Sequence, residues 1–77
     1  MLIDFHPAAA EAFDKLSASD QRDIDEAIDQ VYQDFHVGDL LRGGPLRQYD
    51  FREIQVVYYV PEPPTHLIIC YVQGSDF

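Results

Sequence analysis

Apolar positions along this chain change period twice, and each change marks a new element. Met1-Leu2-Ile3-Asp4-Phe5 is a short run that reads as a first strand. Pro7 suits the first turn of a helix, where its missing N–H is not needed. Ala9, Ala12, Phe13 and Leu16 then recur at helical spacing within a stretch of helix formers from Ala8 to Leu16. Ser17-Ala18-Ser19 interrupts this helix. Either serine can cap the next one, with Asp20 and Asp23 placed near its positive end. Ile24, Ala27, Ile28, Val31, Tyr32 and Phe35 follow as a single helical stripe, the clearest periodic signal in the chain. Asp23, Asp25, Glu26, Asp29 and Asp34 lie off that stripe, and Asp25 and Asp29, four apart, repel each other. Gly38, after Val37, is the expected terminator. Two helices joined by a serine turn form a helical hairpin.

Beyond this point the pattern turns to β. Gly43-Gly44-Pro45 marks a loop, and Leu46 to Val60 is dominated by β-branched and aromatic residues. Ile54, Val56, Tyr58 and Val60 make one face of this run, and Gln55, Val57 and Tyr59 the other. A central strand covered by helices on one side has this pattern. Phe51-Arg52-Glu53 is compatible with either a tight turn or a continuous strand, having no Gly, Asn or Pro. Pro61-Glu62-Pro63-Pro64-Thr65 ends the run, and His66 to Gln73 returns antiparallel to it as the last strand, followed by a tail. The order β-α-α-β-(β)-β predicts one α+β domain over residues 1–77. A helical hairpin would pack on a small, mostly antiparallel, twisted sheet.

Charge narrows the partners. The net charge is −9, and it is uneven: residues 1–39 carry −8 and residues 40–77 carry −1. Such a surface repels phosphate at long range, so non-specific binding of nucleic acid should be weak. The apolar runs are far shorter than the ~20 residues of a membrane span, and the N-terminus lacks a signal pattern, which leaves a cytoplasmic protein as the expectation. Cys70 is the sole cysteine, which excludes an internal disulfide and a thiolate zinc site. Inside Leu67-Ile68-Ile69-Cys70-Tyr71-Val72 it reads as a core residue. His6, His36 and His66 show no metal-ligand spacing, and no metal or cofactor is expected.

Several short motifs together resemble the RelE/ParE toxin superfamily. Leu41-Arg42-Gly43 stands for an "L-x-G" segment, Tyr49-Asp50-Phe51-Arg52 for "Y-E-L-R", Ile54-Gln55-Val56-Val57-Tyr58 for "Y-R-V-x-Y", and Leu67 to Val72 for the final strand. The resemblance spans nearly the whole chain and implies a toxin-like component of a type II toxin–antitoxin pair. Its partner would be a cognate antitoxin, and its target either mRNA on the ribosome or DNA gyrase. The departures are as specific as the matches. Gln55 stands where the family commonly has Arg, the turn between the middle strands is about two residues shorter, and no Arg, Lys or His follows Val72. Family nucleases rely on such basic residues, so a non-toxic relative serving as an acidic protein-binding module or homodimer is the competing expectation.

Candidate chemistry concentrates on few residues. Arg42, Arg47 and Arg52 recur every five positions and would contact phosphate or an acidic segment of a partner; alternatively they are edge charges paired with nearby acids or the acidic helix. By the resemblance, Arg52 falls at the motif Arg and, with Tyr58 as a phenol, is the catalytic candidate for ribosome-dependent RNA cleavage. That chemistry needs a cation against the transition-state charge. Tyr58, Tyr59 and Tyr71 otherwise read as core or groove wall. An adjacent small gene encoding a protein with a DNA-binding N-terminal half would favour the toxin reading. The charge alone makes one prediction. The isolated protein should bind random RNA or duplex DNA only weakly at physiological salt, measured by fluorescence anisotropy. Tight binding that collapses as salt is added would contradict it.

Overall fold

The computed structural model describes residues 2–75. Its elements are β1 (Leu2–Phe5), α1 (Pro7–Asp14), α2 (Ala18–Gln33), β2 (Asp39–Leu40), β3 (Arg47–Phe51), β4 (Ile54–Tyr59) and β5 (His66–Gln73). The strands form one sheet in the order β1-β5-β4-β3-β2, antiparallel throughout except where β1 runs parallel to β5. Both helices lie on the same side of the sheet. The expected α+β architecture is present, with β4 at its centre.

Local chemistry accounts for the helix starts. His6 precedes Pro7, and its Nδ1 accepts from the Ala8 N–H at 3.1 Å. Of the two candidate serines, Ser17 is the cap: its Oγ accepts from the Asp20 N–H at 3.2 Å. The stripe of α2 buries Ile24, Ala27, Ile28 and Val31 against Ile54, Val56, Leu67, Ile69 and Val72 of the sheet. Ala9 joins them from α1, and the edge-on contact of Phe13 with Phe5 ties that helix to β1.

Four expectations are corrected. Tyr32 lies at the rim of the stripe, 38% exposed, because one residue beyond the buried Val31 turns it about 100° round the helix, away from the sheet. Phe35 falls after the helix, which ends at Gln33 with Asp34 as its C-cap. Gly38 therefore terminates nothing; it is buried where β2 begins, and a Cβ there would lie 2.7 Å from the Tyr58 hydroxyl. Cys70 is half-buried rather than core, because the β4–β5 register shifts between Val57 and Tyr58. Tyr58 faces Ile69 and Val57 faces Tyr71, so Cys70 is the extra residue of a bulge. The bulge has a clear use. It returns Val72 to the core face after Leu67 and Ile69, although three positions separate Ile69 from Val72.

The short strand β2 has no sequence signal beyond two residues. It exists because Asp39 and Leu40 pair with Gln48 and Arg47. The undecided segment is resolved as well. Phe51 pairs with Ile54, so Arg52 and Glu53 form a two-residue hairpin turn.

Replacing Ile28, which is 6% exposed, by Asp places an unpaired carboxylate between α2 and the sheet. The expected cost is about 4 kcal/mol or more, enough to unfold a domain of this size. Thermal unfolding followed by circular dichroism checks it, and a cooperative transition near the wild-type midpoint would show the stripe to be misplaced.

Candidate functional site

Register assigns every strand residue to a face. Ile54, Val56 and Tyr58 point to the helices, so Gln55, Val57 and Tyr59 point away, with Gln73, Tyr71 and Ile68 beside them on β5. On the other flank of β4, Gln48 and Asp50 of β3 share this open face. Its polar part is a hydrogen-bonded cluster: Gln48 Nε2 and Gln55 Nε2 both donate to Asp50 Oδ1, at 3.2 and 3.1 Å. A shallow cleft of about 370 Å³ continues from this cluster, lined by Asp50, Arg52, Glu53, Gln55 and Gln73.

Arg52 occupies the hairpin tip with φ of 55°, a left-handed conformation that costs a side-chain-bearing residue energy. Its guanidinium turns toward the helix. Nη1 donates to Asp23 Oδ1 at 2.6 Å and Nη2 to Glu26 Oε2 at 3.1 Å, while the group lies 4.7 Å from the centre of the Phe51 ring. The Asp23 hydrogen bond, then the charge of Glu26, hold its pKa above the ordinary arginine value. The pair is half-exposed and so contributes modestly to stability. It does settle where this cation points.

Tyr58 is fully buried and takes part in a different constellation. Its hydroxyl accepts from the Gly38 N–H at 3.0 Å and donates to the Phe35 carbonyl at 2.7 Å. Arg47 Nη1 donates to the Gly38 carbonyl at 2.8 Å. These bonds fasten the segment after α2 to the sheet and satisfy backbone groups outside any regular element. Burial raises the Tyr58 pKa above the ordinary phenol value, with the Gly38 hydrogen bond opposing. Phe35, His36, Leu40, Arg47, Tyr59 and Pro61 line a cleft of about 420 Å³ over this anchor.

The structure does not bring the sequence-derived site together. Arg52 and Tyr58 belong to opposite ends of β4, and Tyr58 is on the helix side. Arg47 and Arg52 are separated by the length of β3, and Arg42 projects from the exposed loop before it, so the three arginines form no common patch. Arg47 and Arg52 are instead bound to protein acceptors. Burial pushes the Cys70 thiol pKa up, which disfavours the thiolate.

Two features had no sequence signal. Asp20, expected only as a charge near a helix end, is 5% exposed and accepts from the Ser75 N–H at 2.9 Å and from Ser75 Oγ at 2.9 and 3.1 Å. Gly74 permits this approach, since a Cβ there would lie 2.6 Å from Asp20 Oδ2 and from Leu16 Cδ2. The partners are 55 residues apart, beyond any local pattern. Tyr49 is likewise tied across to α2, its hydroxyl donating to Gln30 Oε1.

No family model matches the chain, and no curated protein matches it. Solved structures do. The isolated RelE toxin of E. coli superposes with a TM-score of 0.83 at 15% identity, covering 99% of this chain and 85% of that one. The fold is that of the RelE toxins. The intact E. coli RelBE toxin–antitoxin complex gives a TM-score of 0.81 at 18% identity over 99% of this chain and 98% of the other. The RelBE2 toxin–antitoxin complex of Mycobacterium tuberculosis gives 0.82 at 18% identity over 95% of both. The resemblance carried by the short motifs therefore extends to the fold of nearly the whole chain.

The anchor makes a prediction with two readouts. Tyr58→Phe leaves the Gly38 N–H and the Phe35 carbonyl without their partner and should cost about 1–3 kcal/mol in urea unfolding. Because the folded-state pKa of Tyr58 is raised, its contribution is complete below the unfolded tyrosine value, about 10, and is lost as pH rises through the folded value. Wild-type stability should therefore fall more steeply above pH ~10 than that of Tyr58→Phe. Parallel curves for the two proteins would exclude Tyr58 as the titrating group.

Proposed function

We propose that this chain is the toxin-fold half of a toxin–antitoxin pair and that it works by binding protein, with little or no RNA-cleaving chemistry of its own. One observation carries the reading: among the described residues, no strand position on the open face of the sheet is Arg or Lys, and Arg52, at the margin of that face, gives its guanidinium to Asp23 and Glu26. Gln48, Gln55 and Gln73 surround a carboxylate there, and Arg52 and Arg47 are committed to the helix and to the Gly38 carbonyl. Cleavage by an RNA 2′-hydroxyl needs a cation against the phosphorane charge, and an acidic face opposes it. The partner expected for this fold is a cognate antitoxin, since similar chains are solved in toxin–antitoxin complexes from E. coli, M. tuberculosis and Pyrococcus horikoshii. With a net charge of −9, this chain favours a basic partner. Any growth arrest would follow from capture of a protein target, DNA gyrase being the one the superfamily offers.

The left-handed backbone of Arg52 favours a second reading. Strained positions concentrate at functional sites, and an arginine released from Asp23 and Glu26 would supply the missing cation for mRNA cleavage on the ribosome. Two measurements separate the readings. Purified protein is added to programmed ribosomes, and in parallel its expression is induced in cells while growth, translation and supercoiling are followed, for wild type and Arg52→Ala. The expected result is no mRNA cleavage, together with a stable complex on co-expression with the product of a small neighbouring reading frame, where the genome carries one. Ribosome-dependent cleavage that Arg52→Ala reduces by about 10²–10³-fold would establish the second reading instead.

A further inference from the structure

We infer that the open face of the sheet is a docking surface for one kind of partner segment, an amphipathic one with Lys or Arg flanking an apolar stripe. The inference rests on the protein-binding reading above and specifies the chemistry of the partner. Across the middle of this face, Val57 and Tyr59 of β4 pair with Tyr71 and Ile68 of β5, forming a continuous apolar and aromatic band. Tyr71 is 45% exposed although it belongs to an interior strand, because both helices cover the opposite side. The carboxylates of the strands surround the band. Asp50 and Asp39 flank it on β3 and β2, and Asp4, paired in register with Ile68, flanks it on β1. Among the described strand positions of this face His66 is the one basic side chain, its Nε2 3.6 Å from Asp4 Oδ2, while Arg52 at the margin beside Asp50 is held by Asp23 and Glu26. Both glutamine amides reach Asp50 through Oδ1, which leaves Oδ2 for an incoming cation. At Gly74–Ser75 the chain is drawn to Asp20 on α2, so the described part of the tail lies on the helix side and leaves the band uncovered.

Charge complementarity selects the occupant. RNA would bring phosphates against three carboxylates, with only stacking on Tyr59 and Tyr71 to offset the repulsion. A second copy of this chain would bring the same acids to the same face. A segment with aliphatic residues along one side and cations beside them satisfies both the band and its rim, in the manner of helix-in-groove recognition. The acidic outer side of α2 lacks such a band and should attract the same cations only diffusely.

The test uses the full chain with a synthetic amphipathic peptide of leucine and lysine, its leucine–glutamate counterpart, and a single-stranded RNA, each titrated while backbone amide NMR signals are followed. The lysine peptide should shift Val57, Tyr59, Ile68 and Tyr71, and neither other probe should do so. Tyr71→Lys and Asp50→Lys, both at exposed positions and checked for folding by circular dichroism, should each weaken the lysine peptide by about tenfold. Asp25→Lys on α2 should not. Shifts confined to α2, or affinity unchanged by Tyr71→Lys, would overturn the face assignment while leaving a protein-binding role intact. RNA that shifts the band and is cleaved on ribosomes would overturn that role as well.

Discussion

Two short helices can cover only one side of a five-stranded sheet, and the remaining features of this molecule follow from that limit. The stripe of α2 and the inner side of α1 are used up on Ile54, Val56, Leu67, Ile69 and Val72. The inner positions of β4 and β5 must therefore be apolar and in phase. A bulge at Cys70 is retained because it restores the phase at Val72. The opposite side of the same strands is left to water or to another molecule. In so small a domain the core has little surplus, so long-range polar ties acquire weight.

Three such ties hold the parts that the core does not reach. Tyr58 fastens the segment after α2, Asp20 fastens the residues after β5, and Arg52 fastens the hairpin tip to α2. The first two are buried, where satisfied hydrogen bonds are most effective and unsatisfied ones most costly. The third is half-exposed and combines a strained backbone with a surface ion pair. All three use residues that a reading for chemistry would assign to catalysis or solvation. Their polar groups face inward or toward a helix, and the open face is left with amides, acids, tyrosines, His66 and the aliphatic Val57 and Ile68.

Electrostatics gives this arrangement its functional meaning. Among the described residues this fold leaves one side of the sheet uncovered, and what that side does depends on the groups it displays. Here the display is an apolar band between carboxylates. Phosphate is disfavoured both at long range, by the net charge, and at contact, by Asp50 and its glutamines. Protein recognition meets neither obstacle.

Local pattern determined much of this. The period of Ile24 to Val31, the cap at Ser17, the break at Gly43-Gly44-Pro45 and the alternation from Ile54 onward are properties of neighbouring residues, and their physics acts over a few positions. They set the order of the main elements and, through short motifs, the resemblance to the RelE fold. The end of α2, the strand β2 and the turn at Arg52–Glu53 came from tertiary pairing. Where Arg52 and Tyr58 point, why Gly38 and Gly74 lack side chains, and which acid is buried were decided by contacts between residues 20 to 55 positions apart. A side chain's role at such a site depends on which face the strand register presents and on which partner arrives first. For Arg52 that partner is α2. The sequence names the cation, and the tertiary structure turns it away from the open face.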